Sequence, residues 1–562
     1  MERIDPKDNS IRSVPDASGV NRRDFLGGLG GVGAARLLGI TAAGASVAAL
    51  SAADVGTLSP EARQNKAFRI RRDAALFHRD RPLPDVANNG DENIANYIAT
   101  FSKTLPHNAL GEVDPAAYKA YLKAVASGSA AGFEAIPMGG PGKLANPQSA
   151  YAFVLEGPDG QQLVSPPPPA FSTAAMAGEM VEDYWLALTR DVAFADYGTS
   201  PLIQQAADDL SKLSDFGGPK VGGRVNPDTI FRGNTEGEIS GPFVSQFLLK
   251  PIPYGMTTVV QRYRTAVAGT DFMTAVAEWL AVQRGTPASR TLTFDDTARY
   301  IRNGRDMASY VHTDFSYQAV LNAALMLLSF GADALSDDNP YKTYRTQSAF
   351  LTFGGPQIVD WVARVSTPAL KCTWCQKWLI HRRVRPEVFA GRVHNHLTRA
   401  ATYPLHDDVL NSAALKTVFN SQGSYLLPMA YPEGSPTHPS YPAGHAALMG
   451  AGVTMLKAFF RGDALIPNPV IPSGDGTSLG PYDGSPLSVG GELNKLAANI
   501  ALGRDTAGVH FRSDGVEGMR LGEAVAIGIL HDLVDTFTED FFGFRLTRFD
   551  GRDITICRRC EL

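Results

Sequence analysis

The chain has 562 residues, 44% of them hydrophobic and 19% charged, which is enough to bury a large core without covalent staples. Its net charge of −5 excludes the strongly basic surface typical of nucleic-acid binding, yet leaves room for a local cationic site around one small anion. Residues 1–55 read as a twin-arginine-type export signal. Asn21-Arg22-Arg23-Asp24-Phe25-Leu26 precedes a weakly apolar stretch rich in Gly and Ala, so the expected location is periplasmic or extracellular. No later apolar run reaches the ~18 residues that a membrane span needs.

Residues 56–90 are polar and arginine-rich and read as a surface segment, while 130–170, with four prolines at 166–169, reads as loop or extended chain. From about 200 the apolar residues recur at three- and four-residue steps, at 206–210 and 272–282. Residues 317–330 predict a strongly apolar, largely buried helix, and three further helices are expected over 446–460, 492–502 and 518–537. A Gly/Pro/Ser-rich loop at 463–490 separates them. Strand alternation is short and rare, and no fixed-period repeat is present. The expected fold is mainly α: one helical domain over 56–562, built as packed bundles.

Three segments carry chemistry. In Lys377-Trp378-Leu379-Ile380-His381-Arg382-Arg383-Val384-Arg385-Pro386, the spacing of four puts Lys377, His381 and Arg385 on one helix face. Such cations repel unless an anion or carboxylates sit between them; taken alone, the segment reads equally as a solvated basic face. In Glu433-Gly434-Ser435-Pro436-Thr437-His438-Pro439-Ser440-Tyr441-Pro442-Ala443-Gly444-His445-Ala446, a Pro/Gly loop feeds an apolar helix. The amides of Gly444 and His445 then lie at a helix N-terminus, where free N–H groups attract an anion, and His445 can move a proton there. In Gly503-Arg504-Asp505-Thr506-Ala507-Gly508-Val509-His510-Phe511-Arg512-Ser513-Asp514-Gly515, Arg504 offers a planar fork for a tetrahedral oxyanion. Asp514, four residues after His510, could fix which ring nitrogen of His510 faces a ligand.

The order and spacing of these segments resemble the vanadium haloperoxidase and acid phosphatase superfamily. Its signature is a lysine-to-arginine-proline segment, a Pro-Ser-Gly-His loop, and an arginine followed six residues later by histidine. Phe231-Arg232-Gly233-Asn234-Thr235-Glu236-Gly237-Glu238, Ser245-Gln246-Phe247-Leu248 and Gly391-Arg392-Val393-His394-Asn395 look like the algal bromoperoxidase branch, as does the gap of eight from Lys377 to Arg385. The similarity spans about 200 to 540.

The resemblance implies a vanadate cofactor, with His510 as axial vanadium ligand and Lys377, Arg385, Arg504 and the Gly444 amide holding its oxygens. It implies His445 as the acid–base residue, Lys377 as a catalytic donor toward peroxide, and Trp374 and His438 in the halide pocket. The implied activity is oxidation of bromide or iodide by hydrogen peroxide to hypohalous acid, which halogenates a small organic acceptor; a homo-oligomer is implied too. One departure stands out: Ala443 occupies the signature's serine position, with water or Ser440 as substitutes for the missing hydroxyl. Two other readings remain at this stage. One is an acid phosphatase with His510 as nucleophile and His445 as leaving-group acid; the other is an inactive anion-binding relative.

The four cysteines form two C-x-x-C pairs, Cys372/Cys375 and Cys557/Cys560. Export favours disulfides, the spacing also fits a four-thiolate structural zinc site, and free thiols are the third reading; either of the first two, if it runs between the pairs, would clamp the tail to the Lys377 helix.

Overall fold

The computed structural model describes residues 58–557 and Cys560; the twin-arginine-like segment at 21–26 lies outside the described residues. Helices dominate, and the strands among the described residues pair only as three antiparallel hairpins: Ile252–Tyr254 with Thr257–Val259, Val470–Pro472 with Leu479–Pro481, and Gly543–Thr547 with Asp553–Cys557.

The apolar runs form the helices expected of them, three of them starting earlier than expected: Gln318–Ser329, Gly444–Phe459, Val489–Thr506 and Arg512–Val534. The Gly444–Phe459 helix buries every residue except His445. It can do so because its partner comes very close. A Cβ on Gly450 would lie 2.1 Å from the Met519 carbonyl oxygen, and one on Gly522 would lie 2.0 Å from that of Ala447. Glycines at both positions let Gly444–Phe459 and Arg512–Val534 pack backbone against backbone.

Two large apolar cores result. One gathers Val311, Ile358, Leu448, Leu496 and Leu530; the other gathers Trp185, Phe231, Phe389, Leu426 and Val509. The turn between Val489–Thr506 and Arg512–Val534 joins them: Ala501 belongs to the first core, and Ala507, Val509 and Phe511 belong to the second. Arg504 and His510 sit on this seam.

Two expectations change. Within the arginine-rich segment at 56–90, Pro60–Asp80 is a helix, started by Ser59, whose hydroxyl accepts from the Ala62 amide, and by Pro60. It buries only His78, which meets Asp532 at 2.9 Å, so it has no apolar stripe for the sequence to display. The second change concerns the cationic face. The Ser366–Cys375 helix widens into a π-helical turn over Gln376–His381, which Arg382 ends in the left-handed region (φ 40°). Arg385 is extended, ahead of the Pro386–Leu397 helix. Lys377, His381 and Arg385 therefore do not share a helix face. His381 instead packs edge-on against Tyr441, with ring centroids 4.8 Å apart.

Candidate active site

The π-turn buries Lys377 completely and aims its ammonium at the 433–445 loop, where it donates to the carbonyls of Pro439 (2.8 Å) and Ser440 (2.6 Å). Arg385, also fully buried, donates to the His438 carbonyl from Nε (3.0 Å) and Nη2 (2.8 Å), and to the Val509 carbonyl from Nη1 (2.6 Å). Arg504 reaches the Val311 carbonyl at 2.7 Å and lies over the Tyr431 ring, but its buried Nε has no protein partner. The three cations feel one another. Burial, reinforced by Arg385 and Arg504, holds the Lys377 ammonium well below the usual lysine range. Burial, offset in part by Asp514 and reinforced by Arg504, pushes Arg385 down to about 9, which leaves it charged at neutral pH.

His510 is buried between these groups. Its Nδ1 lies 2.9 Å from Asp514 Oδ2, and its Nε2 lies 3.1 Å from Arg385 Nη1. Burial and Arg385 keep the ring well below the ordinary histidine range, so it is neutral at pH 7. Asp514 is then the acceptor of an Nδ1–H, and Nε2 carries the lone pair. Burial would raise the Asp514 carboxyl, but Arg383 and the bonds from His510 and Ser440 hold it below the usual carboxylate range.

The imidazole of His445 is 30% exposed, and its Nε2 meets Asp314 Oδ1 at 3.1 Å. Burial and the charge of Arg504 lower its affinity for a proton. His438 lies face-tilted to Trp374, with centroids 4.8 Å apart, and its Nδ1 lies 3.0 Å from Arg385 Nη2. Gly444 opens its helix with Ala443 ahead of it, and Ala443 supplies no side-chain cap. The first amides of that helix keep their donor capacity for a ligand. Ser440 does not stand in for the absent hydroxyl, because its Oγ donates to Asp514.

The geometry is thus three buried cations, one unpartnered guanidinium N–H, an uncapped helix start and two neutral imidazoles in one place. This donor set fits a tetrahedral oxyanion whose central atom can take a nitrogen ligand.

Known proteins point the same way. A family model described as the VCPO second helical-bundle domain matches residues 373–538. A vanadium-dependent bromoperoxidase of Ascophyllum nodosum is 36% identical over 496 residues, covering 84% of this chain and 88% of that protein. One of Corallina pilulifera is 35% identical over 554 residues, covering 83% and 92%. The homohexameric second vanadate-dependent bromoperoxidase of Ascophyllum nodosum superposes with a TM-score of 0.85 at 31% identity, covering 92% of this chain and 94% of that one. The chain belongs to the vanadium-dependent bromoperoxidase family.

The family assignment leaves several residues that the sequence motifs did not reveal. Asp314, whose carboxyl is 4% exposed, follows the Gly304–Thr313 helix and has no spacing relation to His445. Lys103 is buried and braces the loop from below: it pairs with Glu387 at 2.8 Å and donates to the carbonyls of Glu433 and Ser435. The second carboxylate oxygen of Glu387 accepts from the Ser435 amide at 2.8 Å. Partners 284 residues apart leave no local signal.

In this bromoperoxidase-family chain the two cysteine pairs differ. Cys557 and Cys560 bond to each other, while Cys372 and Cys375 are free. Cys372 faces the Pro158 carbonyl and Cys375 packs on Gly160, so the first pair looks toward the 158–160 segment. Burial raises the Cys375 thiol to about 11. No clamp joins the tail to the Lys377 helix, and no group of three or more His, Cys, Asp or Glu gathers as a metal site among the described residues.

Proposed function

We propose that this chain is a vanadate-dependent bromoperoxidase, which uses hydrogen peroxide to oxidise bromide or iodide to hypohalous acid and so halogenates small organic acceptors. The observation that carries the reading is the gathering of buried Lys377 and Arg385 around the neutral imidazole of His510, with buried Arg504 close enough to lower the proton affinity of both cations. When bound, vanadate supplies a V(V) Lewis acid that activates peroxide without changing its own oxidation state. His510 Nε2 is the nitrogen available to the metal once Arg385 turns to the oxygens, and neutral imidazole is the form that ligates. Lys377, Arg385, Arg504 and the Gly444 amide would hold the oxygens, and Lys377 would also donate to peroxide. His445, held by Asp314, would take and return a proton at the bound oxyanion. Trp374 and His438, whose rings pack 4.8 Å apart, would border the halide.

The test is direct. Purified protein is loaded with orthovanadate, given peroxide and bromide, and followed by bromination of a dione. Turnover that depends on vanadate and falls with added phosphate supports the proposal. Hydrolysis of a phosphomonoester without vanadate would instead mean a phosphatase, and neither activity would mean an anion-binding relative.

Ala443 makes a quantitative prediction. Ala443→Ser adds a hydroxyl at the N-cap beside the oxyanion. A hydrogen bond to a charged group is worth about 1.5–3 kcal/mol, so vanadate should bind roughly 10-fold tighter or more, as read by equilibrium dialysis. The twin-arginine-like segment supports export to the periplasm or beyond. The homohexameric relative supports a homo-oligomer.

A further inference from the structure

Behind His510 stands a buried chain of charges that the motif reading leaves out. Arg383 donates from Nη1 to Asp514 Oδ1 at 2.6 Å and from Nη2 to Glu179 Oε2 at 2.7 Å. The side chains of Arg383 and Asp514 are 1% and 0% exposed, and that of Glu179 is 9% exposed. The guanidinium is stacked on the Phe511 ring at 4.3 Å, which fixes its plane, and Nη1 also reaches Ser513 Oγ at 2.9 Å. Glu179 uses its other oxygen to accept from the Ser513 amide at 2.7 Å. The fork is therefore held on both arms and on its face.

Asp514 divides its oxygens between two tasks. Oδ1 takes Arg383, and Oδ2 takes His510 Nδ1, the Phe511 amide (3.1 Å) and the Ser440 hydroxyl. Were the carboxylate free to rotate, either oxygen could meet His510 and the ring could tilt with it. With Oδ1 pinned by one arm of Arg383, whose other arm is anchored on Glu179, only Oδ2 is left for the ring, in one direction. A carboxylate with no exposure also needs its counter-charge to persist as an acceptor at all.

We infer that Arg383 is a positioning residue: by bridging Glu179 and Asp514 it keeps His510 in the Nδ1–H tautomer, with Nε2 presented to the oxyanion site. The inference rests on the proposal that His510 is the vanadium ligand, but the tautomer itself can be read without vanadate. Arg383 touches neither cofactor nor substrate, and its effect passes through Asp514.

The experiment uses the full chain, labelled with 15N-histidine and free of vanadate, with His510 resonances identified by their loss in His510→Ala. In the wild type, His510 should show one nitrogen protonated, at Nδ1. In Arg383→Met the ring should become a mixture of tautomers, and the vanadate Kd from equilibrium dialysis should rise about 10- to 100-fold, the usual effect of removing such an outer partner. Arg383→Lys, one charge without a fork, should fall between, with the tautomer only partly restored. A folded Arg383→Met with wild-type His510 shifts and wild-type Kd overturns the inference. If that variant does not fold, wild-type values in Arg383→Lys do the same. A tautomer change in Arg383→Met, together with unchanged vanadate binding in His510→Ala, would sink the ligand assignment and leave the positioning role standing.

Discussion

His510→Ala should abolish stable vanadate loading while leaving the protein folded. The imidazole is buried at the seam between the two cores, with its Nδ1 held by Asp514 and its Nε2 directed at Arg385. The change does not strand a charge. Asp514 keeps Arg383, Ser440 and the Phe511 amide, and Arg385 keeps the His438 and Val509 carbonyls. The cost to folding is that of a cavity, while the cost to the metal exceeds the ~10- to 100-fold loss typical of outer partners. Equilibrium dialysis with orthovanadate and a 51V NMR titration measure it. The same variant separates the rival chemistries. A site that only needs an oxyanion would still bind phosphate through its three cations, so phosphate affinity should fall much less than vanadate affinity. Vanadate binding at wild-type strength would remove His510 from the metal.

What the sequence reveals about this site is its membership, and what it hides is the geometry. Arg504 and His510 are legible because a short turn between two strongly apolar helices keeps them within one local motif. Gly444 and His445 are legible because Pro442 and Gly444 mark a helix start. Lys377 and Arg385 are legible as a cationic pair, but their assumed common face fails. A π-turn and a left-handed Arg382 intervene, and nothing in Gln376 to Arg382 forecasts either. Asp314, Lys103 and Glu179 are invisible because their partners lie 131, 284 and 204 residues away, so only the packing of Gly304–Thr313, Ala174–Leu188 and the loop that carries Lys103 against the rest brings them in. The helical fold is readable from apolar periodicity wherever a helix buries most of its surface. It is unreadable in Pro60–Asp80, which buries a single residue. The cysteines show the same limit: C-x-x-C spacing is compatible with either pairing, and only the fold sends one pair to Gly160 and leaves the other to close on itself.

Lys377→Met should weaken vanadate binding about 10- to 100-fold and also change how that binding depends on pH. The first effect follows from losing a charged donor worth about 1.5–3 kcal/mol in a site that excludes water. The second follows from the direction in which Lys377 is displaced. With no anion present, burial and the charges of Arg385 and Arg504 hold its ammonium well below the ordinary range. An oxyanion placed among the three cations favours the protonated form and raises that value again. Affinity must then be fully present below the pKa of the empty site and be lost as pH climbs through the pKa of the filled one, with a proton taken up on binding in between. Arg385 cannot produce the same profile at neutral pH, because even at about 9 it stays charged there. Methionine matches the aliphatic stem and cannot titrate, so the difference between the wild-type and Lys377→Met dialysis curves over a pH series isolates the lysine, since the protonation of vanadate itself cancels. Wild-type affinity should converge on that of the variant as pH rises. Parallel curves with a constant gap would mean that Lys377 keeps one protonation state in the empty and the filled site and takes up no proton on binding, and coincident curves would take from it the charge it is asked to supply.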